Sequence, residues 1–293
     1  MTKTAWIFPG QGSQAIGMGV DLLDLPLAQA KFDQAKQLLG WDVLEICQSN
    51  EEKLSRTLYT QPCLYVVESI LADVMQEQGY KPNLVAGHSL GEYVALYVAG
   101  VFDFEAGLNL VKRRAELMDS AAGGMMAALI GFDRKQLDQQ IQQTDEVVLA
   151  NDNSPAQVVI SGTPTAVEEL LTQVKAKRVV RLNVSGAFHS PLMASAATEF
   201  EDVLKSVSFA DAKVPVLSNV EPLPATEGSV LKHRLQRQMT GSVRWREISM
   251  QLPQEGIEKV VEIGPGKVLT GLIKRMCPDL VLENIGTRVE LSV

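Results

Sequence analysis

Ser89 stands at the centre of Gly87-His88-Ser89-Leu90-Gly91, between the apolar run "LVAG" and a segment with helical spacing at Leu90, Val94, Tyr97 and Val98. Strand, tight turn and helix in that order form a nucleophile elbow, in which small flanking residues tolerate the sharp turn that lifts a serine hydroxyl clear of the backbone. The start of the helix offers peptide N–H groups, notably that of Leu90, to an oxyanion. The competing reading is a serine that merely fits a tight turn.

An activated serine needs a proton acceptor, and histidine is the usual one near neutral pH. The chain has three. His88 precedes the serine and should point across the turn, packing or hydrogen bonding beneath the elbow. His233 lies in "SVLKHRLQRQM", a basic helix that reads as solvated. His189, in "SGAFHSPLM", is left as the best base. No acidic residue follows a strand end in the order Ser-Asp-His, so a backbone carbonyl is expected to orient the imidazole. A carboxylate aids such a base without being required.

Two further features could touch a ligand. In "GLNLVKRRAELMDSA" (107–121), Leu108, Val111, Ala115 and Met118 define one apolar helix face, with Arg114 inside it and Lys112 and Arg113 outside. A buried arginine needs a partner. An internal carboxylate and a ligand carboxylate, matched to the guanidinium fork, both answer that need. The glycine-rich "FPGQGSQAIGMG" (8–19) lacks the spacing of a nucleotide-phosphate loop, but Gln11 is placed to supply a second oxyanion donor.

The elements that must hold these residues follow an α/β rhythm. Thr4 to Phe8, "LVAGH" and "VVEIG" read as strands of a largely parallel sheet, each ending in a glycine-bearing turn. Ligands of open α/β sheets collect beyond such carboxyl ends. From about 124 to 186 the order changes to β-α-β-β-α-β, a ferredoxin-like small subdomain inserted into a larger one formed by 1–123 and 187–293. A cleft between the two would make a pocket.

Bulk properties narrow the partners. A chain of 293 residues with 46% hydrophobic composition can bury a large core. Its net charge of -8 argues against nucleic acid. Cys47, Cys63 and Cys277 lack metal-ligand spacing, and no apolar window is long enough to cross a bilayer. A soluble, cytoplasmic protein is expected.

The blocks "FPGQGSQ", "TQPCLYVVE", "GHSLGEYVAL", "RAELM", "NSPAQVVISG", "FHSPLM" and "VEIGPGKVLTGL" run nearly end to end in this order. In them the chain resembles the malonyl-CoA:acyl carrier protein transacylases, most closely the stand-alone bacterial-type enzymes of fatty acid synthesis. The resemblance implies a hydrolase-like α/β core with a ferredoxin-like small subdomain and an active site between them. It assigns the nucleophile to Ser89, the base to His189, the malonyl carboxylate to Arg114, and the oxyanion hole to the N–H groups of Gln11 and Leu90. It further implies a ping-pong transfer through a malonyl-serine ester by a Ser-His dyad, with malonyl-CoA and acyl carrier protein as partners. No metal and no cofactor beyond the coenzyme A thioester are implied, and a monomer is expected. Phe188, beside the base, is implied to crowd an α-methyl group and so to favour malonyl. Asn153 and Arg244 are further pocket candidates, although many relatives carry glutamine where "GSVRW" has Arg244. An acidic carrier would dock on a basic face, for which 175–181, 232–237 and 274–275 are the candidates.

Overall fold

Strand β1 (Thr4–Phe8) is apolar on both faces: Trp6 and Phe8 enter one hydrophobic cluster, Ala5 and Ile7 another. A strand buried on both sides belongs inside a parallel sheet covered by helices. That is where the computed structural model, which describes residues 2–292, places it.

Four helices follow: α1 (Pro26–Leu39), α2 (Val43–Cys47), α3 (Glu51–Ser55) and the long α4 (Thr57–Glu77). Next come β2 (Leu84–Gly87), α5 (Gly91–Val98) and α6 (Phe104–Ser120). The middle of the chain forms β3 (Met125–Phe132), α7 (Arg134–Gln142), β4 (Val147–Ser154), β5 (Gln157–Gly162), α8 (Pro164–Gln173) and β6 (Ala176–Arg181). The remainder is α9 (Ala194–Ser206), β7 (Val216–Leu217), α10 (Gly228–Gln238), α11 (Trp245–Gln254), β8 (Lys259–Ile263), α12 (Val268–Met276) and β9 (Val281–Ile285).

The larger sheet has the order β7-β2-β1-β8-β9, with every pairing parallel. Phe8 pairs with Gly87 and Ile7 with Glu262, so the carboxyl ends of β1, β2 and β8 lie side by side. The three glycine-bearing turns read from the sequence are therefore neighbours. One sheet face packs on a cluster that includes residues of α1, α4, α5 and α6; the other packs on α11 and α12 through Trp245, Ile248, Leu269 and Ile273.

The second sheet is antiparallel, in the order β4-β5-β3-β6. It has its own core, in which Ala127, Leu129, Val158 and Ile160 meet Leu137 of α7 and Val167 of α8. Main-chain bonds tie it to the other layer: Val243 N–H donates to Ala150 O at 2.8 Å, and Asp152 N–H donates to Val243 O at 2.9 Å. Among the described residues no helix is long and apolar enough to cross a membrane.

Candidate active site

The turn after β2 is forced by packing. A Cβ on Gly87 would overlap the Gly91 carbonyl, and one on Gly91 would overlap the Phe8 carbonyl, so helix α5 can approach the sheet only with glycine at both places. Between them Ser89 takes a left-handed backbone conformation with φ 51°. His189 does the same with φ 58°, and among the described residues these are the two non-glycine positions with positive φ. Such conformations cost of order 1–3 kcal/mol and persist where surrounding contacts over-determine them.

Those contacts are visible for Ser89. Its N–H donates to Asn219 Oδ1 at 2.7 Å, and Asn219 Nδ2 donates to Gly87 O at 2.6 Å. The Ser89 carbonyl accepts from Gln238 Nε2 at 2.9 Å. Its hydroxyl lies 2.8 Å from His189 Nε2. On the other side of the ring, Nδ1 is 2.9 Å from Gln238 O and 3.1 Å from Gly241 O. Two carbonyl acceptors require the proton on Nδ1, which leaves Nε2 free to receive the serine proton. Backbone oxygens thus hold the ring where a triad would use a carboxylate. Burial, the Arg114 cation and nearby His88 push the His189 pKa down to about 3. At neutral pH the imidazole is therefore uncharged.

Arg114 is fully buried on the apolar face of α6, beside Leu110, Val111, Ala115 and Met118. The structure answers the question of its partner. Nη1 donates to Gln61 Oε1 at 2.6 Å, and Nη2 donates to Ser89 Oγ at 3.0 Å and Gln238 Oε1 at 3.1 Å. The guanidinium lies 5.2 Å from the centre of the Tyr93 ring. Among the described residues no carboxylate forms an ion pair with it, and its Nε–H is buried without a hydrogen-bond partner. A buried cation hydrogen-bonded by neutral side chains, with Glu92 reached only through Gln238, and left with a spare donor can receive an anion.

Ser89, His189 and Arg114 share a cavity of about 80 Å³ with Gln11, Gln61, Leu90, Met118, Met126, Asn151, Leu182, Val184 and Phe188. Met126 and Asn151 lie on the antiparallel sheet and Leu182 and Val184 directly follow its strand β6, while the rest come from the turns and helices around the parallel sheet, so the cavity lies between the two layers. An adjoining groove of about 460 Å³, reached past Gln11, Leu182 and Val184, opens toward Gln14, Glu51 and Ser55.

Some expected residues lie elsewhere. Asn153 is not on the cavity wall: its Oδ1 is 2.8 Å from His88 Nε2, beneath the elbow, and Asn151 of the same strand takes the wall position. Arg244 is held by Glu247 and by Val220 O, which turns it away from the cavity. His233 is exposed, but Arg234 in the same basic run is buried and bonded to Leu223 O and Glu221, so it does not belong to a docking face. The sequence reading missed Gln61, Asn219 and Gln238. Only Gln238 carried a signal, continuing the apolar stripe of Leu231 and Leu235 on α10.

A serine, a neutral imidazole, a helix N-terminus and a spare guanidinium donor around one small cavity suit attack on an acyl carbon whose group carries an anion. The profile of the acyl transferase domain matches residues 5–281. A malonyl CoA-acyl carrier protein transacylase from Synechocystis sp. is 60% identical over 290 residues, covering 99% of both chains. The chain belongs to the malonyl CoA-acyl carrier protein transacylase family. Its acyltransferase fold follows the Synechocystis transacylase crystal structure with a TM-score of 0.98 at 60% identity, covering 99% of each chain. It also follows, with a TM-score of 0.94 at 38% identity and over 99% of this chain and 98% of that one, a malonyl-transacylase solved in complex with its type II polyketide synthase acyl-carrier protein.

Proposed function

We propose that the chain transfers a malonyl group from malonyl-CoA to the phosphopantetheine thiol of an acyl carrier protein, in fatty acid synthesis, through a malonyl ester on Ser89. The observation that carries the reading is the buried Arg114, which lies within hydrogen-bond distance of the Ser89 hydroxyl and has no carboxylate partner of its own. It is the receptor that a free carboxylate on the acyl group requires.

Ser89 Oγ attacks the thioester carbonyl carbon as His189 Nε2 takes its proton. The N–H groups of Gln11 and Leu90 receive the oxyanion. When the C–S bond breaks, coenzyme A leaves with the proton from His189. The carrier thiol then gives its proton to His189, attacks the ester, and Ser89 departs as the hydroxyl. Arg114 holds the carboxylate through both steps. No cofactor beyond the thioester substrate is needed. We read the protein as a cytoplasmic monomer.

Residues 124–186 are read as a ferredoxin-like subdomain inserted in a hydrolase-like body of 1–123 and 187–293, a reading that the strand order β4-β5-β3-β6 supports. Strand β6 runs directly into Leu182 and Val184 at the cavity, which favours the basic run 175–181 as the carrier-docking face. Intact mass spectrometry after mixing with malonyl-CoA tests the proposal. The expected result is a malonyl adduct that is absent in Ser89→Ala and passes to carrier protein. No adduct, or release as free malonate in the presence of carrier, overturns it.

A further inference from the structure

Glu92 lies one residue beyond the elbow glycine, in the first turn of α5, and is 1% exposed. A buried carboxylate is costly without partners. Its Oε2 has two: Asn219 N–H at 3.2 Å and Gln238 Nε2 at 2.8 Å. These are the two residues whose side chains grip the nucleophile's own backbone, Asn219 at the Ser89 N–H and Gln238 at the Ser89 carbonyl. One carboxylate oxygen therefore joins the two halves of a clamp that closes on both sides of a left-handed serine. The same contact fixes the Gln238 amide. With Nε2 committed to Ser89 O and Glu92, the amide oxygen faces Arg114, and the main-chain oxygen of the same residue holds His189.

We infer that Glu92 is a positioning residue that sets the reactivity of Ser89 through Asn219 and Gln238. The inference rests on Ser89 being the nucleophile, as proposed above, but not on which acyl group it carries. Catalytic geometry is sensitive at the level of an ångström. If Glu92 acts by the position of its oxygen, the neutral isostere Glu92→Gln keeps an acceptor in place. Glu92→Asp keeps the charge but withdraws the oxygen by one C–C bond, and Glu92→Ala removes it.

The test is the rate at which a fluorophosphonate, which needs no malonyl recognition, labels Ser89 in folded protein, alongside kcat and KM for malonyl transfer. Labelling and kcat are expected to fall together by about tenfold or more in Glu92→Asp and Glu92→Ala, with KM for malonyl-CoA within about twofold of the parent. Glu92→Gln is expected to stay within about threefold of the parent in labelling and kcat. Should Glu92→Ala not fold, the order of Gln above Asp still decides. Parental labelling in Glu92→Asp, or Asp faster than Gln, overturns the inference. Absence of malonyl transfer in the parent protein, with Ser89 labelled normally, would count against the proposed substrate and leave the Glu92 inference standing.

Discussion

Replacing Arg114 with alanine should cost the enzyme its preference for an acyl group that bears a carboxylate. In the structure the guanidinium is fully buried, its neighbours Gln61, Gln238 and Ser89 are neutral, and Nε–H is unpartnered. A malonyl carboxylate would bring its negative charge to a site already paying for a desolvated cation. Losing one member of a buried charge pair costs about 3 to 5 kcal/mol, roughly two to three and a half powers of ten in kcat/KM. Arg114 also touches Ser89 and Gln238, so the variant will lose some activity toward every substrate. The ratio of kcat/KM for malonyl-CoA to that for acetyl-CoA removes this common loss. It should fall in Arg114→Ala by about a hundredfold or more, chiefly through malonyl-CoA. Radiolabelled thioesters and purified carrier protein suffice for the assay. An unchanged ratio would refute the assignment, whatever happened to the absolute rates.

The pH dependence follows from His189, whose pKa is pushed down to about 3 from an ordinary value near 6.5. Acylation should show no inflection from this base between about pH 5 and 8, and Arg114→Ala, by removing a cation beside the ring, should move the acid limb upward. Because the unfolded chain binds the proton first, this group's contribution to stability is full above about pH 6.5 and is lost as pH falls toward 3, at up to about 1.4 kcal/mol per pH unit. Chemical denaturation of parent and His189→Ala at pH 5 and pH 7 measures that slope, and equal slopes would contradict the shift. Gly87→Ala should lose more than about 3 kcal/mol, because the new methyl meets backbone rather than a movable side chain. Reversing charge at Lys177 and Arg178 should raise KM for carrier protein and leave KM for malonyl-CoA unchanged in steady-state titrations.

Much of this site could be read from residue order. The elbow declared itself through two glycines around Ser89, and Arg114 through a basic residue on an apolar helix face, because both are local patterns. The base followed from there being so few histidines. The clamp was not legible: Asn219 and Gln238 meet Ser89 across 130 and 149 residues of chain, and nothing local distinguishes an amide that grips a nucleophile from one in solvent. Asn153 and Arg244 show the opposite failure, since position within a motif fixes where the backbone runs but not which acceptor a side chain will take. Strands β7 and β9 escaped for a different reason. The first has two residues and the second is a partly exposed edge, so neither produces the buried run that marks β1 and β2.

In the proposed cycle, the imidazole held by two peptide carbonyls would also favour one acceptor of the acyl group over another. With no carboxylate to steady an imidazolium and a guanidinium close by, His189 is a weak proton acceptor. A thiol, with a pKa near 8.5, surrenders its proton about seven powers of ten more readily than bulk water at 15.7. The ester on Ser89 would be far more vulnerable to a sulfur nucleophile than to the solvent around it. A loaded enzyme could then wait for its carrier, because a thiol asks less of that base than water does.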